Sequence, residues 1–500
     1  MIAALVPLVL CGLTFVEQDI PDVDLRSVDP FSGQHNPNFL RADFDGDGTL
    51  DLLLPRYIAF QRGNGFSRTQ IAPIPDFGES PHCDLWGRDI YLCLSNRIEI
   101  VRWDGTEWKR ILSQQLVWPP GARFKTFGEP LYTDDSKALR FFKFLQDLNG
   151  DGKPEIIVPA SDSVHVYRQG ELFFEDVAQW DIYPPVQMIS SMKPIWPERA
   201  RTVDAMWSGW SCMLHVSGPI LLTEVEDMES LDSPTVEYRI ETRRLTFESG
   251  FAVAGEPEPP KVYTVPSKAS RCKLNEDDVP DFVKYEVEKS KTGPIPFPVL
   301  TLTVSTDGGT SWTTVRSSVM MQQCFFADIN GDKRLDMIAE SNGLFQGGLR
   351  ELATSYLTAR SLTHTINIVP QQADGKFIQG HAISVRCPIR IDAPPIQNSP
   401  MFGAYQAGLL VNLTGDFTGD GLLDLAVHET PDRIAIYPNT GSGFALSSIA
   451  VVQTLPDSVF GLADVDGDKR ADIVLRSKSA SDELQSPAPS RLFLSRESTP

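Results

Sequence analysis

The sequence is short of the signatures that usually declare a chemistry. None of the patterns HExxH, GxSxG, the phosphate-binding GxxxxGK[ST] or the dinucleotide fingerprint GxGxxG occurs in its 500 residues, so the common hydrolase and nucleotide-binding signatures are missing. Cysteine is sparse, seven in all and never as CxxC, which removes the usual zinc and dithiol redox motifs. Histidine is equally sparse: His35, His82, His165, His215, His364, His381 and His428 are scattered, and an isolated histidine is more often structural than a base or a ligand. Long amphipathic helical patterns are scarce. The only long apolar run, the opening "MIAALVPLVLCG", is too short to span a bilayer and reads as a candidate signal peptide over 1–12, although no Lys or Arg precedes Arg26. A misassigned start is the plainer alternative. Basic residues are outnumbered, 45 against 66 acidic, giving a formal charge of -21, which argues against a nucleic-acid partner.

What is present instead is one pattern five times over: "DFDGDGTLD" from Asp43, "DLNGDGKPE" from Asp147, "DINGDKRLD" from Asp328, "DFTGDGLLD" from Asp416 and "DVDGDKRAD" from Asp464. Oxygen-bearing side chains fall at loop positions 1, 3, 5 and 9, and glycine always at position 4. Alternate oxygens on a tight turn converge on one point, as a hard cation such as Ca²⁺ requires, with a backbone carbonyl at position 7 completing the set. The candidate ligands are therefore Asp43, Asp45, Asp47, Thr49 and Asp51; Asp147, Asn149, Asp151, Lys153 and Glu155; Asp328, Asn330, Asp332, Arg334 and Asp336; Asp416, Thr418, Asp420, Leu422 and Asp424; and Asp464, Asp466, Asp468, Arg470 and Asp472, with the position-7 residues contributing only their carbonyls. The loops hold 17 carboxylates, most of the excess negative charge, so five divalent ions would roughly halve it.

An EF-hand needs a bidentate Glu at position 12, where this chain has Leu54, Val158, Ala339, Val427 and Leu475. Those side chains cannot ligate. Each loop runs instead into a short apolar stretch such as "DLLLP" or "EIIVP", of buried-strand length. Several copies continue with a second strand, a glycine turn and an aromatic, as in "YIAFQRGNGF" and "RIAIYPNTGSGF". This repeat resembles the FG-GAP (VCBS-like) family, the calcium-loop propellers found also in integrin α-chain heads, and the last copy carries the Phe460-Gly461 pair before its loop. The resemblance implies an all-β β-propeller with up to five structural Ca²⁺ ions. Lys333 and Lys469 occupy position 6, where the family pattern has glycine, and strain or weaker binding is expected there.

The motif starts lie 104, 181, 88 and 48 residues apart. The first gap holds a further blade without an acidic loop, "RDIYLCLSNRIEIVRWDGTEWKRIL" at 88–112, and the second another near "TVDAMWSGWSCMLHV" at 202–216. Seven blades result, with six or eight as alternatives. "LTFVEQDI" at 13–20 is placed to supply the final blade's outer strand and close the ring. The propeller thus runs over 13–224 and 321–500, divided by a β-rich insertion or accessory module at 225–320, with a second insertion at 341–400 whose "GLRELATSYLTARSL" has helical spacing. Within 225–320, "STDGGTSW" places Ser305, Asp307, Gly309 and Trp312 at the spacing of an Asp-box, a self-clipped hairpin turn that speaks to folding. If the leader is removed, six cysteines remain (Cys83, Cys93, Cys212, Cys272, Cys324 and Cys387). Cys83 and Cys93 could staple one blade; buried free thiols are the alternative.

The function expected is that of a secreted, extracellular, periplasmic or cell-surface calcium-binding propeller, a non-enzymatic binding or adhesion module for protein or glycan ligands. It would have no membrane span and no nucleic-acid partner, and the sequence leaves the oligomeric state open. The rival is a secreted carbohydrate-active hydrolase or lyase with its site on the propeller face, since propeller enzymes gather catalytic residues from several blades without a linear motif. Trp86, Trp180, Trp196, Trp207 and Trp210 could stack on sugars if exposed, but core packing is the usual role of such residues.

Overall fold

A computed structural model describes residues 13–28, 35–119, 138–181, 203–227, 234–289, 298–342, 361–391, 404–406, 412–477 and 490–497, apart from short stretches within these spans. Residues 1–12, most of the expected helix at 348–362, Trp196, Trp207 and Trp210 lie outside the described residues. Among those described, the regular elements are strands throughout, gathered into eight sheets of four to six strands and one separate hairpin, Leu25–Val28 with His35–Pro37.

The sheets follow one another along the chain as antiparallel meanders. The first is Leu40–Ala42, Asp51–Leu53, Tyr57–Ala59 and Ile71–Pro73. The second runs His82–Trp86, Asp89–Cys93, Arg97–Trp103 and Trp108–Gln115, with Arg140–Phe141 added parallel to its first strand. The third is Leu145–Gln146, Glu155–Pro159, Ser163–Gln169 and Phe174–Asp181. The seventh (Asn412–Gly415, Asp424–Thr430, Arg433–Tyr437, Ala450–Gln453) has the same form. Four-strand units with tight turns arise because an acidic loop feeds an apolar run long enough for one buried strand, and the strand after it ends, in the first, third and seventh sheets, in a glycine turn that reverses the chain.

Between successive sheets lie the cores. Ala42, Phe44, Leu53 and Ile58 of the first sheet meet Cys83, Ile90 and Leu92 of the second; Tyr91, Cys93 and Ile98 meet Ile156, Val158 and Tyr167 of the third. Phe174–Asp181 lies beside Phe251–Ala254 of the fourth. Corresponding clusters join fourth to fifth, fifth to sixth, sixth to seventh and seventh to eighth sheets. The eighth packs back on the first through Val474, Leu492 and Leu494 against Leu52, Leu54 and Tyr57. The inner strands thus bury both faces, one toward each neighbour, which explains why they read as continuous apolar runs and not as strict alternations. This is a β-propeller.

The ring closes as expected: Leu13–Gln18 pairs antiparallel with Ser490–Glu497, in register from Leu13 opposite Glu497 to Gln18 opposite Leu492. Among the described residues the ring has eight sheets, one more than the seven counted from motif spacing. The difference lies in 225–320, which is not an insertion between propeller halves. The proposed boundary cuts the strand Ile220–Asp227, which pairs with Thr235–Glu248 in the fourth sheet, and Ala269–Cys272, Asp281–Lys289, Pro298–Ser305 and Thr313–Val319 make the fifth. Acidic and Pro-rich connections hide this periodicity. Within 341–400, Ser361–Val369 and Ala382–Ile391 are outer strands of the sixth sheet, paired from Asp336–Asn342 outward.

Cys83 and Cys93 are buried free thiols and form no staple. Cys83 lies opposite Leu92 and Cys93 opposite His82, so the two side chains leave opposite faces of the sheet. Accordingly, Cys83 belongs to the core shared with the first sheet and Cys93 to the core shared with the third.

Candidate metal centres

All five acidic loops join the first strand of a sheet to the second, and all five fold on the same hydrogen-bond plan. The position-1 aspartate is the hub. Asp43 Oδ1 accepts the N–H of Gly46 at 2.7 Å and of Asp47 at 3.1 Å, while Oδ2 accepts that of Gly48 at 3.0 Å. Asp147 and Asp328 repeat the three bonds, and Asp416 accepts from Gly419 and Gly421. Asp464 accepts from Gly467. Position-4 glycines adopt φ between 75° and 82°, the left-handed turn that lets three successive N–H groups face one carboxylate.

Position 5 fixes position 7. Thr49, Lys153, Arg334, Leu422 and Arg470 each donate their N–H to the Oδ1 of the aspartate two residues earlier, at 2.8 to 2.9 Å. At position 3, Asp45, Asn149, Asn330 and Asp466 accept the N–H of position 5. Thr418 is the exception: its buried Oγ1 has no hydrogen-bond partner.

Position 9 opens the second strand and is buried. Asp51, Asp424 and Asp472 are wholly inaccessible. One oxygen accepts the N–H of position 2, as Asp51 does from Phe44 at 2.9 Å, and the other accepts an N–H from the far end of the neighbouring strand, here Gln61 at 3.0 Å. The same second bond comes from Gln371 to Asp336, Asn439 to Asp424 and Ser495 to Asp472. Burial, reinforced by the other acids of the loop, pushes the carboxyls of Asp51, Asp336 and Asp424 up to about 6 and that of Glu155 to about 7. Asp472 is raised for the same reason. The two or three hydrogen bonds that each accepts do not compensate these charges.

In two loops three carboxylates converge: one oxygen each of Asp43, Asp45 and Asp51, and of Asp464, Asp466 and Asp472, lie within 4.8 Å of one another. Guanidinium groups contact several of the loop acids, two of the clustered ones among them. Arg62 pairs with Asp45 and with Asp47 at 2.7 Å; Arg496 pairs with Asp466 at 2.5 Å and Asp468 at 3.3 Å; Arg334 pairs with Asp332. The donor set is entirely hard oxygen, its innermost carboxylates are buried and mutually repelling, and an orphaned hydroxyl sits at Thr418. These residues fit a Ca²⁺ ion. Lys333 and Lys469 do adopt positive φ, 66° and 71°.

A sixth loop on this plan escaped the sequence reading. In the fifth sheet, Asp281 accepts the N–H of Leu274 at 2.5 Å, Asn275 accepts that of Asp277 and Asp277 that of Val279, matching positions 9, 3 and 5. The spacing Asn275-Asp277-Asp281 was the available signal, masked because Lys273 and Glu276 stand where Asp and Gly were sought. The Asp-box in the same sheet is a clipped turn: Asp307 Oδ1 accepts from Ser305 Oγ and Ser311 N–H, and Trp312 Nε1 donates to the Gly309 carbonyl at 3.1 Å.

No curated protein matches the chain. Among solved structures it is similar to the biofilm matrix protein Bap1 of V. cholerae, at 13% identity over 96% of this chain and 92% of that one, with a TM-score of 0.26. The WD40 domain of SCAP from fission yeast aligns at 10% identity over 96% and 94%, with a TM-score of 0.33. A putative 6-phosphogluconolactonase from Bacteroides fragilis aligns at 11% over 83% and 94%, with a TM-score of 0.26. At such scores they add nothing to the fold reading, which rests on the sheets and their packing. The family evidence is more specific, because residues 416–475, spanning the last two acidic loops, match the FG-GAP-like repeat. The chain is thus a β-propeller that carries an FG-GAP-like repeat over 416–475 and folds three earlier acidic loops on the same plan.

Proposed function

We propose that the five loops are structural Ca²⁺ sites and that the protein is a secreted, non-enzymatic binding or adhesion module for protein or glycan ligands. The observation that carries the metal reading is the position-9 carboxylate, buried beside two or three further acids that no set of backbone donors neutralises. A divalent ion removes that repulsion and ties the loop to the second strand of its sheet, so ion binding and blade stability are linked. The export reading is supported by the apolar opening residues and by the millimolar calcium outside cells, which suits open oxygen-ligand loops. No helix among the described residues is long and apolar enough to cross a membrane.

The binding role is supported by the architecture. A ring of short-turned sheets is a rigid platform from which exposed loops can carry recognition. Calorimetric titration of the chelated protein with Ca²⁺ tests the metal reading: up to five ions should bind, with a rise in melting temperature. An identical melt in calcium and in chelator would refute it. Screening the calcium-loaded protein on immobilised glycans and surface proteins, with the chelated protein as control, tests the binding role.

A further inference from the structure

Four of the loops are gripped by the sheet that follows them. Arg88 of the second sheet donates to the Phe44 carbonyl of the first loop at 2.5 Å. Asn439 of the seventh donates to the Ile329 carbonyl of the sixth sheet's loop at 2.7 Å. Arg41 of the first contacts the Asp464 carbonyl of the eighth. Between the seventh and eighth sheets the grip joins two acidic loops by hydrogen bonds.

Arg470 is position 7 of the loop 464–472, and its side chain is mostly buried. Its Nη1 donates to the Phe417 carbonyl at 3.2 Å, and the N–H of Ala471 donates to the Asp416 carbonyl at 2.7 Å. Its guanidinium also lies against Gly419, where an added Cβ would sit 3.0 Å from Cζ. Beneath, a Cβ on Gly415 would come within 2.6 Å of the Ala471 Cβ. Positions 1, 2 and 4 of the loop 416–424 thus rest on residues 470 and 471, and the Arg470 N–H is itself fixed by Asp468 at 2.8 Å. Any shift of residues 470–471 when the second loop fills is passed to Asp416, the hub of the first.

We propose that Arg470 is a positioning residue for the ion site at 416–424 and couples it to the site at 464–472, so that filling the second strengthens the first. This rests on the calcium reading above. The loop at 416–424 has most to gain, because its neutral Thr418 leaves it with fewer carboxylates than its neighbour, and because packed contacts on both sides leave it little freedom to adjust alone.

The test is a mutant cycle read by calcium calorimetry and by ion count after equilibrium dialysis. Asp464→Asn should remove one ion and also weaken a second site, on the order of tenfold for a coupling of ordinary size. Arg470→Lys keeps the charge but not the planar fork; it should weaken that same site, and adding Asp464→Asn should then remove one ion with no further weakening. Asp147→Asn, in the third sheet, should remove one ion and nothing else in either background. If Asp464→Asn fails to fold by circular dichroism, Asp466→Asn carries the same comparison. Coupling is overturned if Asp464→Asn loses one ion and leaves all other affinities unchanged. A wild-type protein that binds no calcium overturns the metal reading itself, an outcome distinct from uncoupled sites.

Discussion

The N–H of Ser495 donates to Oδ1 of Asp472 at 2.8 Å from 23 residues away, while Val465 donates to the other oxygen at 2.8 Å. A single inaccessible carboxylate thereby joins its own loop to the final strand of the ring. Asn at position 472 can accept only one of these bonds and turns an N–H₂ toward the other donor. Asp472→Asn should therefore cost about 1–3 kcal/mol per lost bond even in chelator, measured by urea unfolding. Asp307→Asn, in the exposed Asp-box turn, should cost less, because water replaces what is lost there.

The raised carboxyls fix the sign of a pH response. Asp51, Asp336 and Asp424 at about 6 and Glu155 at about 7 hold protons in the folded protein that the unfolded chain releases near pH 4. The native state therefore binds more protons between about pH 4 and 7, and its stability falls as pH rises through that window. Glu17, held below its ordinary value by its hydrogen bond to Arg491, acts in the opposite sense, but only below about pH 4.5. Melting in chelator should thus be higher at pH 5 than at pH 7.5. Saturating calcium, which requires ionised ligands, should shrink or reverse the difference.

Lys333 and Lys469 hold positive φ where the other three loops have Gly48, Gly152 and Gly421 at 82° to 89°. The left-handed conformation costs a side-chain-bearing residue about 1–2 kcal/mol, partly offset by the greater chain entropy glycine loses on folding, about 0.5–1 kcal/mol. Lys333→Gly and Lys469→Gly should each stabilise the protein by up to about 1 kcal/mol. Loss of a nearby positive charge should also tighten calcium binding at the same loop. Equal or lower urea midpoints would count against the strain.

These relationships were unequally legible in the sequence. The loop bonds, such as Asp416 to Gly419 or Asp51 to Phe44, span three to seven residues, and so the spacing of acids and glycines reveals them. The terminal pairing was legible because a ring needs its last edge covered. The fifth sheet was not, since its loop begins with Lys273 and its strands alternate like those of any β-rich module. Nor were the grips between loops: Arg470 reaches Phe417 across 53 residues and Asn439 reaches Ile329 across 110, and no local pattern marks a contact that depends on how two sheets stack. The opposed faces of Cys83 and Cys93 needed the register, because a shift of one residue would have turned one thiol to the other face.

Closure of the ring separates a strong contact from a weak one. Glu17 and Arg491 form a two-pronged pair at 2.5 Å between the terminal strands, but Glu17 is half exposed, so Glu17→Gln should change stability by at most about 1 kcal/mol. Gln18, next in the chain, is buried, and its Oε1 accepts the Phe66 N–H of the first sheet at 2.7 Å. Gln18→Ala orphans that donor and should cost about 1–3 kcal/mol. Deleting residues 13–18 removes the whole pairing with Ser490–Glu497 and leaves an open strand edge. The deletion should unfold at lower urea than either point variant and tend to associate, and a peptide of residues 13–20 supplied in trans should restore its midpoint. If the deletion melted like the parent and ignored the peptide, the ring would not be held shut by its two ends.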